Sequence, residues 1–408
     1  MRLAELLFLA HRLPFPPTKG DKIRAYHFLS HLARTRVVHL GCFIDDPGDY
    51  GHADDLRAVC GECHFAALPP WRIRLRALTA LARNEAISVA ALRDPGLGRW
   101  IADLLRRRPV SCVFVYSSGM AGYLNAVPGH GVRRIVDFVD VDSEKWRQLA
   151  ARRRWPISWL CRTESARLQA FDRDVAGRCD HCLLVSPGEA QAFRELVPSE
   201  APKTLVIPNG VDSEHFAPEL DLPCPFEPGG TVVAFTGDMA YWPNEDAVLW
   251  FAREVLPRLR ARHPDLRFVV VGRAPSRRLR RAAVRLGIEL SGSVSDVRPF
   301  LRHAALVVAP LRVARGVPNK VLEAMASGKA VVATPAAIAG LRLRPGHDIL
   351  SADAPAAFAE AVASLLDPGR AAALGARARA RAVADYGWAA SLRALDDVIA
   401  AAPGAAEA

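Results

Sequence analysis

No stretch of the 408 residues approaches the roughly eighteen uncharged apolar residues that a membrane-spanning helix needs, which argues against an integral helical membrane protein. The opening "MRLAELLFLAHRLPFPP" has a basic residue and a short apolar run but no small-residue cleavage site, so it reads as a buried first strand rather than an export signal. The expectation is a cytoplasmic chain. Low-complexity sequence is confined to the tail "AAPGAAEA". Neither half contains a GxGxxG fingerprint with an acid about 20 residues on, so an NAD-linked oxidoreductase fits poorly. Acids are in deficit: 43 Asp and Glu face 54 Lys and Arg, leaving a net charge of +11. A basic balance suits nucleic acid, anionic lipid or phosphorylated substrates.

The positive excess is concentrated in the first half. Residues 71–110 carry nine arginines against three acids, and residues 145–173 carry eight basic residues against two acids. Both mix arginine with tryptophan and leucine ("WRIRLRALTALAR", "RRRWPISWLCR"), the pattern of a solvated helix face or of a helix lying on an anionic membrane surface. Of the eight cysteines, four form two CxxC pairs, "CGEC" at 60–63 and "CDHC" at 179–182. A four-thiolate zinc site is one reading; each pair borders an apolar run, however, and buried structural thiols are the expectation.

Length alone predicts two domains. Two β/α series are legible. Strands are expected at "LAELLFLA", 37–44, 63–68, 110–117, 133–141 and 181–186, and again at 231–238, 267–274, 288–294, 305–311, 330–335 and 347–352, with helix-length segments between them. Valine-rich runs without strict alternation indicate parallel sheets covered on both faces. The expected division is 1–205, 206–385 and a terminal helix and tail, 386–408, packing back on the first domain. Residues 203–230, with five prolines, read as a hinge. Ligands of such sheets bind outside the carboxyl ends of the strands, so the strand-to-helix loops are where function is sought.

Several loops stand out. In "TGDMAYWPNEDA" Gly237 ends a strand, where a missing side chain lets backbone N–H groups approach a phosphate; a plain tight turn is the alternative. "VVVGRAP" repeats this with Gly272 and Arg273. In "GVPNKVLEAMASGKAVVAT", Gly316 and Pro318 make a turn, Asn319 can cap a helix, and Lys320 and Glu323 share a face. An ammonium beside a helix N-terminus would neutralise a diphosphate, and a carboxylate three residues on would accept from ribose hydroxyls; the alternative is a simple i, i+3 ion pair. In "VDFVDVDSEKW", Asp137, Asp140 and Asp142 alternate, which would bring three carboxylates to one side, where a cation, a metal or sugar hydroxyls must relieve their repulsion.

"GVPNKVLEAMASGKAVVAT" resembles the donor-site segment of family 4 glycosyltransferases and their relatives. "VSPGEAQAF", "VIPNGVD", "FTGDMAYWPNEDAVLWF", "GSVSDVRPFLRHAALVVAP" and "YGWAASLRALDDVI" agree in the expected order, so the resemblance covers nearly the whole chain. "PPTKGDKIRAYHFLSHLA" and "VDFVDVDSEKW" are similar to sugar transferases of PEP-CTERM exopolysaccharide loci. The resemblance implies a GT-B fold, two Rossmann-like domains facing a cleft, and transfer of a sugar from a nucleotide donor to a saccharide or lipid-linked acceptor, with retention at the anomeric carbon. It implies no bound metal or other cofactor and no nucleic-acid partner. It leaves a peripheral place at the membrane open.

Residue by residue, the resemblance places Gly237, Asp238, Gly272, Arg273, Gly316, Asn319, Lys320 and Glu323 at the donor. It puts Gly20 near the donor phosphates as well, in a loop where Lys19, Asp21 and Arg24 face the acceptor together with Asp137 and Asp142. Lys320, Arg315 and Asp140 are the candidate catalytic residues. The chain departs from the pattern where Arg315 replaces the first of two paired glutamates, eight positions before Glu323, and where the usual arginine–lysine pair is missing from "GDMAYWPN". Arg315 and Arg273 are the available replacements for that charge. A protein that binds a sugar nucleotide without turning it over is therefore the second reading.

Overall fold

The computed structural model describes residues 4–17, 20–151, 153–314 and 316–400. Lys19, Arg315 and the tail beyond 400 lie outside them. The chain forms two compact units, one built from the residues up to Ile207 together with those from Leu392 onward, the other from Pro208–Ser391.

The first unit holds seven strands: β1 (Glu5–Ala10), β2 (Val37–Ile44), β3 (Cys63–Ala67), β4 (Val110–Tyr116), β5 (Arg133–Val139), β6 (His181–Leu184) and β7 (Thr204–Val206). All pair in parallel, in the order β3-β2-β1-β4-β5-β6-β7. The second unit has β8 (Thr231–Thr236), β9 (Leu266–Val271), β10 (Ile288–Gly292), β11 (Leu306–Ala309), β12 (Val331–Ala333) and β13 (Leu350–Ser351), ordered β10-β9-β8-β11-β12-β13. Both sheets thus follow the doubly wound 3-2-1-4-5-6 pattern, with the chain direction reversing beside the first strand of each. The cause is legible: Leu6 to Ala10 and Val233 to Phe235 are almost wholly buried, as strands covered on both faces must be.

Every expected strand exists. β7 is an addition, three residues taken from the segment read as hinge and paired with β6. The two CxxC pairs sit at β3 and β6, separated by four intervening strands, or roughly 24 Å at the usual strand spacing, so they cannot converge on one ion. Cys179 and Cys182 are buried free thiols whose sulfurs lie 3.4 Å apart.

The helix after β8 begins at Trp242 but opens into a π turn over Phe251–Val255 before resuming at Leu256–Arg260. Pro257 explains this, since it has no N–H to give to the preceding turn and its ring crowds the carbonyl four residues back. From Leu392 the terminal helix, Trp388–Ala400, docks on the first unit: Asp396 meets His31 at 2.6 Å and Arg36 at 3.1 Å, and Arg133 donates to the carbonyl of Val398 at 3.4 Å.

Candidate functional site

In the second unit the carboxyl ends of β8, β9 and β11 bring most of the sequence-predicted donor residues together. Gly237 follows β8 and Gly272 follows β9, and their loops stack on each other: Gly237 N–H donates to the Val271 carbonyl at 2.9 Å and Met239 N–H to the Arg273 carbonyl at 3.0 Å. A Cβ on Gly272 would lie 1.7 Å from the Gly237 carbonyl oxygen, and one on Gly237 would lie 2.7 Å from the Lys320 amine. The first glycine is therefore demanded by the neighbouring loop; at the second, the backbone φ of 155° disfavours a side chain, and Lys320 and Asn244 would have to shift. Gly272→Ala should cost at least about 2 kcal/mol of stability, because both overlapping groups belong to packed backbone that has nowhere to move. Urea unfolding checks this, and an unshifted midpoint would contradict the packing.

Lys320 lies in the first turn of the eight-residue helix Asn319–Ala326. Its ammonium donates to Asn244 Oδ1 at 2.6 Å and sits 4.1 Å above the centre of the Phe235 ring. Asn244 is held in turn by donating to the Asp238 carbonyl at 2.8 Å. Glu323 stands on the same helix, half-buried, and its carboxylate has no hydrogen-bond or ion-pair partner among the described residues. The simple ion-pair alternative fails, since Lys320 turns to Asn244 and to the ring. Loss of solvent pulls the Lys320 ammonium down to about 7, against the pull of Glu323; the same loss pushes the Glu323 carboxyl up to about 7, against Lys320. Both groups are poised to change charge near neutrality, a state common where charged ligands bind.

Other expectations change. Asn319 does not cap its helix: Pro318 occupies the cap, Asn319 is the first helical residue, and its side-chain oxygen accepts from Asn209 at 3.1 Å. Arg273 and Asp238, both expected to face the donor, are ion-paired to each other at 2.8 Å, so the Arg273 charge is already partly neutralised. Gly316 adopts a left-handed turn with φ of 65°.

In the first unit the largest departure concerns Arg24 and Asp137. Both are wholly enclosed, with 0% of their surface exposed. Arg24 donates to Asp137 at 2.7 and 3.2 Å and to the Ile207 carbonyl at 2.8 Å, and stacks on Phe28 at 4.4 Å. Neither presents an atom to an acceptor; they fasten the helix Gly20–Ala33 to β5. The three aspartates do not line up either. The backbone turns at Val139 with φ of 67°, so Asp140 and Asp142 leave the strand direction, and Lys145 meets both, at 2.9 and 2.8 Å. The cation that relieves their repulsion is this lysine. Among the described residues no group of three or more His, Cys, Asp or Glu is arranged to hold a metal ion.

Gly20 and Asp21, expected in a loop, open the helix Gly20–Ala33, and Asp21 faces two groups that sequence reasoning missed. Arg12 donates to it at 2.8 Å, and His11 lies 3.3 Å away while stacking on Tyr116. Burial alone would raise the Asp21 carboxyl; His11 and Arg12 outweigh it and hold the group well below the usual range. Arg12 also reaches Asp45 at 3.0 Å. Asp172, from the helix Ile157–Arg178, is buried with its carboxyl pushed up to about 8, by desolvation first and by Asp142 second. His11 Nδ1, Asp45 Oδ1, Asp140 Oδ1 and Asp172 Oδ1 are buried without a hydrogen-bond partner among the described residues. The first three follow β1, β2 and β5 directly, so one end of the parallel sheet collects orphaned polar atoms, which is unusual unless a ligand completes them. Their signal in the sequence was slight, because His11 and Arg12 sit in a proline-rich loop and Asp172 in an ordinary helical pattern.

Residues 230–368 match the family Glycosyl transferases group 1. Over 231 residues the chain is 29% identical to D-inositol 3-phosphate glycosyltransferase of Acidothermus cellulolyticus, and the match spans half of each chain. Among solved structures it is similar to Anabaena Alr3699/HepE in complex with UDP and glucose (TM-score 0.69, 15% identity, 97% of this chain and 99% of that one). It is also similar to sucrose-phosphate synthase from Thermosynechococcus elongatus (0.71, 16%, 97% and 98%) and to WaaG, a glycosyltransferase involved in lipopolysaccharide biosynthesis (0.67, 16%, 97% and 100%). Residues 230–368 of the second unit are thus similar to the glycosyl transferases group 1 family, within a chain whose two parallel-sheet units have the GT-B architecture.

Proposed function

We propose that this protein is a glycosyltransferase that moves a sugar from a nucleotide-sugar donor to a hydroxyl of a saccharide or lipid-linked acceptor, in exopolysaccharide synthesis and with retention at the anomeric carbon. The observation that carries the reading is the pair Lys320 and Glu323: an ammonium and a carboxylate at the switch point of a doubly wound sheet, unpaired with each other, with charges that shift near neutral pH. As the bond to the sugar breaks, the leaving diphosphate gains negative charge. Lys320 and the amino end of the helix Asn319–Ala326 are fixed positive groups suited to that charge, and they do not have to reorganise as it forms. Glu323 accepts hydrogen bonds from the ribose hydroxyls. In the first unit the half-buried side chains of His11, Asp45 and Asp140, each with one unsatisfied atom at the same end of the sheet, are the polar groups suited to an acceptor.

Thermal unfolding with UDP-, GDP- and ADP-sugars tests this, UDP-sugars first because HepE was solved with UDP and glucose. At a hundredfold excess over Kd a true donor stabilises the folded state by about 2.7 kcal/mol, a shift of several degrees. Transfer to a saccharide acceptor should then follow with the donor that binds. A shift without turnover would favour the second reading, binding alone, and no shift with any nucleotide sugar would sink both.

A further inference from the structure

The helix Pro70–Ala82 is apolar on the face it turns to solvent. Residues 71, 74, 75, 78, 79, 82 and 83 are exposed, at the i, i+3, i+4 spacing of one helical stripe, and four of them are Trp71, Leu75, Leu78 and Ala82. Trp71 is 61%, Leu75 56% and Leu78 66% exposed. The opposite side already has its own partner, because Ile73 packs on the first unit's core and Arg76 donates to the Ala91 carbonyl at 2.7 Å. A second apolar group stands nearby at the start of the helix Ile157–Arg178, where Trp155, Ile157 and Trp159 are 79%, 53% and 54% exposed. The short helix Ile87–Ala91 packs against both longer ones. It is joined to the second by the Glu164 carboxylate, which accepts from the backbone N–H groups of Ile87 and Ser88 at 2.8 Å each. Arg167 of the same helix reaches Asn84 and the Glu85 carbonyl, just beyond the first.

Charge separates this surface from an ordinary sticky patch. Neither 70–83 nor 151–162 contains an acid, and each contains four arginines. Arg74, Arg83, Arg153 and Arg154 are exposed and have no ion-pair partner among the described residues. Three tryptophans with one apolar edge each, leucines between them and unpaired guanidinium groups around them form a surface complementary to the headgroup region of a bilayer carrying negative lipid. A second protein chain would have to bring a matching acidic, apolar face. This chain's own acids are a minority and mostly paired, so a second copy is a poor occupant.

We infer that the surface formed by the helix Pro70–Ala82 and the segment from Arg153 to Trp159 docks the protein on an anionic lipid bilayer. No helix among the described residues is long and apolar enough to cross one, so the attachment is peripheral. The inference stands apart from the proposed donor site, whose residues lie in the other unit.

The test uses the intact protein and two vesicle preparations, phosphatidylcholine alone and phosphatidylcholine mixed with phosphatidylglycerol. The expected result is cosedimentation with the mixed vesicles at low salt, release at high salt, and quenching of tryptophan fluorescence by lipids brominated in the acyl chain. An Arg153→Glu/Arg154→Glu variant should partition at least about tenfold more weakly. Trp71→Ala/Leu75→Ser should lose the quenching of Trp71 and also bind more weakly. Both changes are at exposed positions, so an unaltered melting temperature and an unaltered shift with nucleotide sugar serve as folding controls. Absence of binding to mixed vesicles at low salt would overturn the inference, as would equal binding to both preparations. Self-association in the absence of lipid that Leu75→Ser abolishes would assign the surface to a second copy instead.

Discussion

Lys320→Ala should lower the turnover of the transfer reaction by about 10²- to 10³-fold, the usual effect of deleting one preorganised group that meets charge developing in a transition state. Folding should survive, because the lysine gives one hydrogen bond to Asn244, which still donates to the Asp238 carbonyl, and the change removes an ammonium that burial already disfavours. Glu323→Ala should instead weaken donor binding with a smaller effect on turnover. The pH dependence is specific. In the free protein Lys320 loses its proton at about 7; a bound diphosphate favours the charged form and raises that value, so the lysine's contribution to affinity is full below about pH 7 and declines above it. Glu323 works in the opposite direction: its ionised form accepts from ribose, so its contribution grows as pH rises through about 7. Donor affinity should therefore peak near neutrality, and calorimetry in buffers of differing ionisation heat should show net proton uptake above the peak and release below it. In Lys320→Ala the decline at high pH should vanish. Equal turnover in variant and parent, or affinity flat from pH 6 to about 9, would remove the site.

Asp137→Ala is expected to destabilise the first unit by about 3–5 kcal/mol, the largest loss at any single position considered. Its partner, Arg24, is fully enclosed; without Asp137 the guanidinium loses the carboxylate that accepts two of its hydrogen bonds, while the Ile207 carbonyl and the Phe28 ring remain beside it. Replacing both residues, as in Arg24→Met/Asp137→Leu, should recover much of that loss, since well-packed apolar groups can match a buried ion pair once neither charge is left alone. Recovery will be incomplete because the Ile207 carbonyl loses its donor. Urea unfolding of the three proteins measures both numbers. A single variant within about 0.5 kcal/mol of the parent would mean that water reaches the site and the pair is not sealed.

Much of the architecture could be read from residue order. Buried parallel strands are long apolar runs, and runs such as "ELLFLA" and "TVVAFT" announce themselves whatever surrounds them. β7 escaped because three residues carry no period, and its pairing with β6 is a tertiary fact. Within the site, Lys320 and Glu323 were legible because their spacing puts them on one helical face; that the lysine would bind Asn244 rather than the glutamate was not, since Asn244 comes from the first turn of a helix 76 positions away. The aspartate series misled for a local reason. Alternation puts Asp137 and Asp140, three residues apart, on opposite faces of a strand, and this strand stops at Val139, where a left-handed residue redirects the chain.

The sequence alone determined the two sheets, the loops that end their strands and the chemical types available there, because burial and periodicity are properties of neighbours along the chain. Which charge meets which partner was decided only by folding: Arg24 became a buried clamp, Lys145 joined Asp140 to Asp142, Arg273 was spent on Asp238, and Lys320 was left facing an aromatic ring with its charge weakly held. Those outcomes depend on desolvation and on distances of a few ångströms between residues tens of positions apart, and neither is encoded in spacing.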